Sequence, residues 1–245
     1  MFLQKKLILA VLLSAVALLP LGAVAQQRNF VSFSGGYSLP VGAFASQNFG
    51  DPKAGLAGSG VYAQLNYERR LTDHFGLRVT GSLNINQTDA QPLIDEYSVL
   101  LPKPDSYSWQ KETSTWQLGA LLLGPSGYLP LGKVELEGHV QAGVVLAESP
   151  SVTLFGISAA DSPDVEASVT QASTTAFGFG AGASVRFRLT DNLRLQLTAD
   201  AIGADMQLKD VTTYRRFGSF VIQETTSPSR FVTVVNVGAG VVLGF

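Results

Sequence analysis

The sequence has no cysteine, two histidines, and only 15% charged residues in 245. The missing cysteine excludes a disulfide scaffold and a thiolate metal centre. No cysteine follows the first apolar run to accept a lipid anchor. The charge content falls well below the roughly 25% of soluble domains. Lys and Arg number 17 against 19 Asp and Glu, so no basic excess meets nucleic-acid phosphates. Neither metal-ligand spacing nor a phosphate-cradling loop is present, and no cofactor is expected. The run Gly178-Phe179-Gly180-Ala181-Gly182 sits inside an alternating stretch with no helix after it, which makes it a packing feature.

Beyond residue 25 there is also no apolar run of helix length. The first 25 residues differ: Lys5 and Lys6 precede an apolar stretch from Leu7 to Leu19, Pro20 and Gly22 interrupt it, and Ala23-Val24-Ala25 follows. This is the layout of a secretory signal peptide, with cleavage expected after Ala25 and a mature domain over 26–245. Without Lys5 and Lys6 the net charge moves from −2 to −4.

What remains is alternation with period two, the mark of strands with one apolar and one polar face. Over 77–86, Leu77, Val79, Leu83 and Ile85 oppose Arg78, Thr80, Ser82 and Asn84. The same rhythm marks 30–39, 61–68, 134–144, 177–189, 194–201 and 231–245, and less cleanly 115–123. That makes eight strands. Short joints at 72–74, 125–132 and 190–192 alternate with long ones at 40–60, 87–114, 148–174 and 209–230. A sandwich has no need of such alternation, whereas a membrane barrel combines short periplasmic turns with long outer loops. The expected fold is therefore all-β: an eight-stranded antiparallel up-and-down transmembrane barrel with four long extracellular loops. A soluble barrel of opposite polarity has the same periodicity. A hairpin within 151–173 would either join the wall, giving ten strands and a wider, porin-like channel, or extend the barrel above the membrane.

With apolar faces toward lipid, parity sends Glu68, Glu135, Glu137 and Asp200 into the lumen, with Arg78, Arg186, Arg188 and Arg194. His139 falls beside Glu137. An eight-strand lumen is just wide enough to be filled by side chains. Four acids facing four guanidinium groups make a polar plug, since buried charges must be paired. Inward Gly178, Gly180 and Gly182 are expected to leave room for the arginine arms. Two aromatic belts are expected at the bilayer interfaces: Tyr67, Phe75, Tyr128, Phe187 and Phe245 near the short turns, and Phe44, Trp109, Trp116, Phe177 and Phe231 near the long loops.

The stretch Gly238 to Phe245 resembles the signal by which the bacterial assembly machinery recognises outer-membrane proteins. Gly240, Leu243 and Phe245 match it, while a polar residue usual near Gly238 is missing. Gly35 to Gly42 is similar to the first strand of small outer-membrane barrels, and the whole layout resembles the OmpA/OmpX-like eight-stranded barrels. The resemblance implies an integral protein of the bacterial outer membrane, contacting its lipids and lipopolysaccharide, handled by the barrel-assembly machinery, and working through its loops in adhesion, envelope stability or binding of an extracellular ligand. Arg215 and Arg216 read either as ligands of lipopolysaccharide phosphate or as solvated loop charges. The alternative is an outer-leaflet enzyme such as a lipid A-modifying one. Its usual general base, a histidine at the outer mouth, is lacking, because His74 lies in a short turn and His139 in the lumen.

Overall fold

Each alternating stretch becomes a strand because a pleat turns successive side chains to opposite faces. The computed structural model describes residues 28–48, 51, 53–99, 101, 103–159 and 163–245; the signal peptide expected over 1–25 lies outside them. Among the described residues are thirteen strands and one α-helix. Eight strands close a barrel: β1 (Asn29–Pro40), β2 (Ala57–Arg70), β3 (Phe75–Thr88), β5 (Trp116–Leu131), β6 (Val134–Glu148), β9 (Ser173–Arg188), β10 (Leu193–Gln207) and β13 (Ser229–Gly244). Each pairs antiparallel with its barrel neighbours in the chain, and β13 returns to β1, with Phe30 opposite Gly244 and Pro40 opposite Val234.

The hairpin 151–173 stays out of the wall. Its strands β7 (Val152–Ser158) and β8 (Val165–Val169) join β4 (Tyr107–Thr113), β11 (Val211–Phe217) and β12 (Phe220–Thr226) in a second sheet, ordered β12-β11-β8-β7-β4. The barrel is eight-stranded and no wider. Helix α1 (Gln91–Val99) follows Asp89, whose carboxylate accepts the Gln91 backbone N–H at 2.9 Å. Its Leu93, Ile94 and Tyr97 pack with Val152, Leu154 and Ala167 of the second sheet.

The turn expected over 125–132 is shorter. Strand β5 runs to Leu131, and Gly132, at φ 70°, turns the chain into β6. Pro125 has no N–H to give the ladder. Pairing with β6 is interrupted between Leu123–Ala142 and Ser126–His139, then resumes in the same register. Here a proline that reads as a loop is only a gap in a ladder.

The polarity is inverted relative to a water-soluble protein. Phe33, Leu121, Leu123, Val140 and Phe179 point outward and are exposed, while Glu68, Arg78 and Arg186 point inward and are 1% accessible or less. The interior has two storeys. Charged and hydrogen-bonding side chains fill the half nearer the short turns. The half nearer the loops holds an apolar core of Trp116, Leu118, Leu122, Val145, Ile202 and Met206, with Phe44 above, beside a hydrogen-bonded group of Ser38, Asn84, Asn86 and Asn236 on β1, β3 and β13. The even positions of β5 are apolar because they face this core, which is why 115–123 reads as apolar on both faces.

Phe44 and Trp116 are therefore not interfacial rings. After β1 the chain folds back into the mouth through a short 3-10 turn, Gly42–Ala45. Phe44 meets Trp116 edge-on at 5.1 Å between centroids, and Trp116 Nε1 donates to the Gly55 carbonyl at 3.0 Å. A side chain at Gly55 would collide with Phe44. Tyr128 is also internal, and Trp109 lies on the second sheet against the α1 cluster. Tyr67, Phe75, Phe187 and Phe245 remain outside at the turn end, and Phe177 and Phe231 at the loop end.

Candidate functional site: the charged lumen

The lumen cluster is built by register. Glu68 on β2 sits opposite Arg78 on β3, and Glu135 on β6 opposite Arg186 on β9. Cross-strand neighbours on one face lie about 4.5–5.5 Å apart at Cβ, so each acid starts beside a guanidinium group. The side chains then reach across the barrel.

Arg186 holds Glu68 with both terminal nitrogens: Nη1 donates to Oε2 at 2.8 Å and Nη2 donates to Oε1. Its Nε donates to Ser184 Oγ at 3.2 Å, which fixes the plane of the group. Arg78 Nη1 donates to Glu137 Oε1 at 3.0 Å and to Glu68 Oε1 at 3.3 Å. Glu137 also accepts from Ser184 Oγ at 2.8 Å. His139 joins two acids: its Nδ1 is 3.0 Å from Glu137 Oε1, and its Nε2 is 3.2 Å from Asp200 Oδ1, out of hydrogen-bond alignment. Asp200 Oδ2 accepts from Thr198 Oγ1 at 2.7 Å and from Gln64 Nε2 at 3.2 Å.

Nearer the turns, Glu135 accepts from Arg194 Nη1 at 3.0 and 3.1 Å and from Arg70 Nη2. Both guanidinium groups lie over the Phe30 ring, with their carbons 4.4 Å and 4.6 Å from its centroid. Tyr128 takes Arg70 over its ring at 4.1 Å, and its hydroxyl donates to Glu68 Oε2 at 3.1 Å.

Thus Glu68, Arg78, Glu135, Glu137, His139, Arg186, Arg194 and Asp200 share one connected cluster. Arg188 does not: it has inward parity, but it is the last residue of β9, at the rim of the wall, and is exposed. Arg70 takes its place. Reading β2 as ending at Glu68 hides Arg70, although it continues the same parity two residues on. Tyr128 is missed for a similar reason, since an aromatic near a turn reads as interfacial. The inward glycines make room for other groups than expected. A Cβ at Gly182 would collide with the Asp200 carboxylate, at Gly180 with Leu122 and at Gly178 with Val145.

Chemically, this is an arrangement for holding charge still. Every cluster carboxylate faces a guanidinium or imidazole group. Removing one partner from such a buried pair typically costs about 3–5 kcal/mol. Among the described residues, no group of three or more His, Asp and Glu is set to hold a metal ion.

The expected assembly-signal residues lie at the barrel seam. Gly240 faces inward, where a Cβ would strike the Phe33 carbonyl of β1. Leu243 points outward, and Phe245 exchanges backbone hydrogen bonds with Asn29 at 2.9 and 3.4 Å.

The wall of eight strands is closed, oily outside and ionic inside. Its fold is a closed, antiparallel eight-stranded β-barrel. No protein-family model and no curated protein matches the sequence. Solved structures of similar shape include Neisserial surface protein A, at 11% identity and a TM-score of 0.47, covering 89% of this chain and 97% of that one. A major outer-membrane protein of Thermus thermophilus aligns at 14% identity and 0.45, covering 90% and 100%. The attachment invasion locus protein Ail of Yersinia pestis aligns at 12% and 0.41, covering 89% and 100%.

Proposed function

We propose that this chain is an integral, non-enzymatic protein of the bacterial outer membrane, exported by its first 25 residues. In this reading its lumen is sealed and its loop-end sheet is the working surface. The reading is carried by the inverted polarity: exposed Phe33, Leu123, Val140 and Phe179 outside, and ion pairs inside. In hydrocarbon every backbone polar group must be paired within the protein, and a closed barrel achieves this.

The lumen serves as a plug. Its carboxylates are held by Arg and His, and the apolar storey with Phe44 and Trp116 lies between them and the loops. A permanently paired carboxylate is a poor proton shuttle. The other histidine, His74, lies at the turn end, with Nδ1 3.1 Å from the Tyr128 carbonyl. These features support a structural rather than catalytic interior.

The second sheet and α1 present a contact surface for an extracellular ligand, in adhesion or envelope stability. Arg216 is engaged by Glu166 at 2.9 Å, and Arg215 lies over the Tyr97 ring at 5.9 Å. Contact with lipid rests first on the apolar exterior. Phe245 and the β13 seam are the elements offered to the assembly machinery.

The test is expression in a Gram-negative host, followed by membrane fractionation and gel migration with and without heating. Recovery in the outer membrane with heat-modifiable migration is expected, as is cleavage of the 208–228 connection by protease added to intact cells. A soluble monomer recovered without detergent would sink the proposal.

A further inference from the structure

The two ends of the lipid-facing wall differ in charge. On the outward face of β2, Val61, Ala63 and Leu65 lead to Tyr67 and then to Arg69. Apolar, then aromatic, then cationic is the order in which a side chain meets hydrocarbon, interface and headgroup. Phe75, Phe187 and Phe245 stand exposed at the same end. Four exposed cations, Arg28, Arg69, Lys133 and Arg188, lie there. None is within ion-pair distance of a carboxylate among the described residues, unlike the arginines inside.

These cations fall into two pairs. Arg28 and Arg69 flank the junction of β1 and β2, where Arg69 is opposite Asn29 and the Arg28 carbonyl accepts from Arg70 N at 2.7 Å. Lys133 and Arg188 flank the junction of β6 and β9, where the Lys133 carbonyl accepts from Arg188 N at 2.9 Å. The strand order puts the two junctions on opposite sides of the ring. The turns add Asp73 and Asp191, so the side chains of the rim stay cationic, four basic against two acidic. At the loop end the outward positions just past Leu146 and Gly203 are Glu148 and Asp205.

We propose that the turn-end rim is a docking surface for anionic phospholipid headgroups, with phosphates seated on the Arg28–Arg69 and Lys133–Arg188 pairs. It rests on the reading that the barrel spans a bilayer. Charge complementarity selects this partner, and the outward run of β2 through Tyr67 to Arg69 joins the rim to the apolar exterior. Guanidinium groups match phosphate geometry, and each basic residue near a charged membrane surface favours an anionic lipid about fivefold. At the loop end Lys209 stands near Glu148 and Asp205, so that rim has no comparable excess of cations.

The test folds the full-length protein into mixed phosphatidylcholine–phosphatidylglycerol vesicles and measures the relative association of spin-labelled forms of the two lipids. The parent is expected to prefer phosphatidylglycerol several-fold. The combined variant Arg28→Gln, Arg69→Gln, Lys133→Gln, Arg188→Gln is expected to lose the preference, and Lys103→Gln with Lys111→Gln in the loops to keep it. If the combined variant folds poorly, Arg69→Gln and Lys133→Gln are measured singly, each with a partial loss expected. No preference in the parent, or an unchanged one in the rim variants, overturns the proposal. So does competition by inorganic phosphate beyond that of chloride at equal ionic strength, which would assign the cations to free phosphate. Failure of the parent to insert at all, seen as absent heat-modifiable migration, refutes the membrane reading and with it the docking surface. Insertion without lipid preference refutes the docking surface alone.

Discussion

Arg186 and Glu68, 118 residues apart in sequence, meet across the lumen as a two-pronged pair with almost no access to solvent. The fork matches the carboxylate in plane and spacing. Glu68 also takes Arg78 and Tyr128, and Arg186 approaches Glu135 at 3.6 Å, so the pair is the hub of the cluster.

Replacing Arg186 by Met leaves Glu68 short of its main partner in a closed interior. The loss expected is about 3–5 kcal/mol, read from denaturant unfolding of the folded barrel. Glu68→Met should cost a similar amount. The double variant should lose less than the two single losses added together, because neither charge is then stranded. Additive losses would mean that the two residues act independently.

Phe44 is an internal stopper. Truncation to Ala removes an aromatic ring from the apolar storey, a change that typically costs about 3–5 kcal/mol. The expected outcome is loosening of the 41–56 connection with the wall intact. In a Trp109→Phe background, which leaves Trp116 as the sole tryptophan, emission should shift to the red and quenching by acrylamide should rise. Heat-modifiable migration should not change.

At Gly182 a new side chain would occupy the place of the Asp200 carboxylate. Gly182→Val should destabilise by about 1–3 kcal/mol, the usual range for overpacking, and disturb the His139 contact. Gly138→Ala faces outward, where the nearest atom to a new Cβ is the Gly182 carbonyl at 3.9 Å, and should be tolerated. Equal unfolding midpoints for the two variants would show that the lumen is looser than these contacts imply.

Alkali should act on the loop layer before the wall. Burial pushes the Tyr97 hydroxyl above its ordinary value of 10.0, assisted by Glu96 and opposed by Arg215. The folded state thus binds this proton more tightly than the unfolded one. Its contribution is complete below pH 10 and declines as pH rises past that value. Hydrogen exchange at α1 should accelerate there, and Tyr97→Phe should remove that part of the pH dependence. An identical profile in the variant would clear Tyr97 of the effect.

The alternation of residues such as Leu77-Arg78-Val79-Thr80 made the wall legible, because a pleat has no other way to sort apolar from polar. It also named the inward acids, since parity persists along each strand. It failed where parity meets the end of a strand. Arg188 has the right parity and the wrong height, while Arg70 has both. It failed again in the apolar storey, because Trp116 and Leu122 obey the inward parity without being polar. The second sheet was hidden for a different reason. Strands such as β12, with every residue exposed, carry no alternation of burial to betray them.

The wall is completed only when β13 reaches β1, joining the two ends of the folded chain. Without that strand, β1 and β10 would each offer a bare row of unpaired amide and carbonyl groups. A product cut short anywhere before residue 229 has no smaller cylinder to settle into, and calls for disposal rather than partial service.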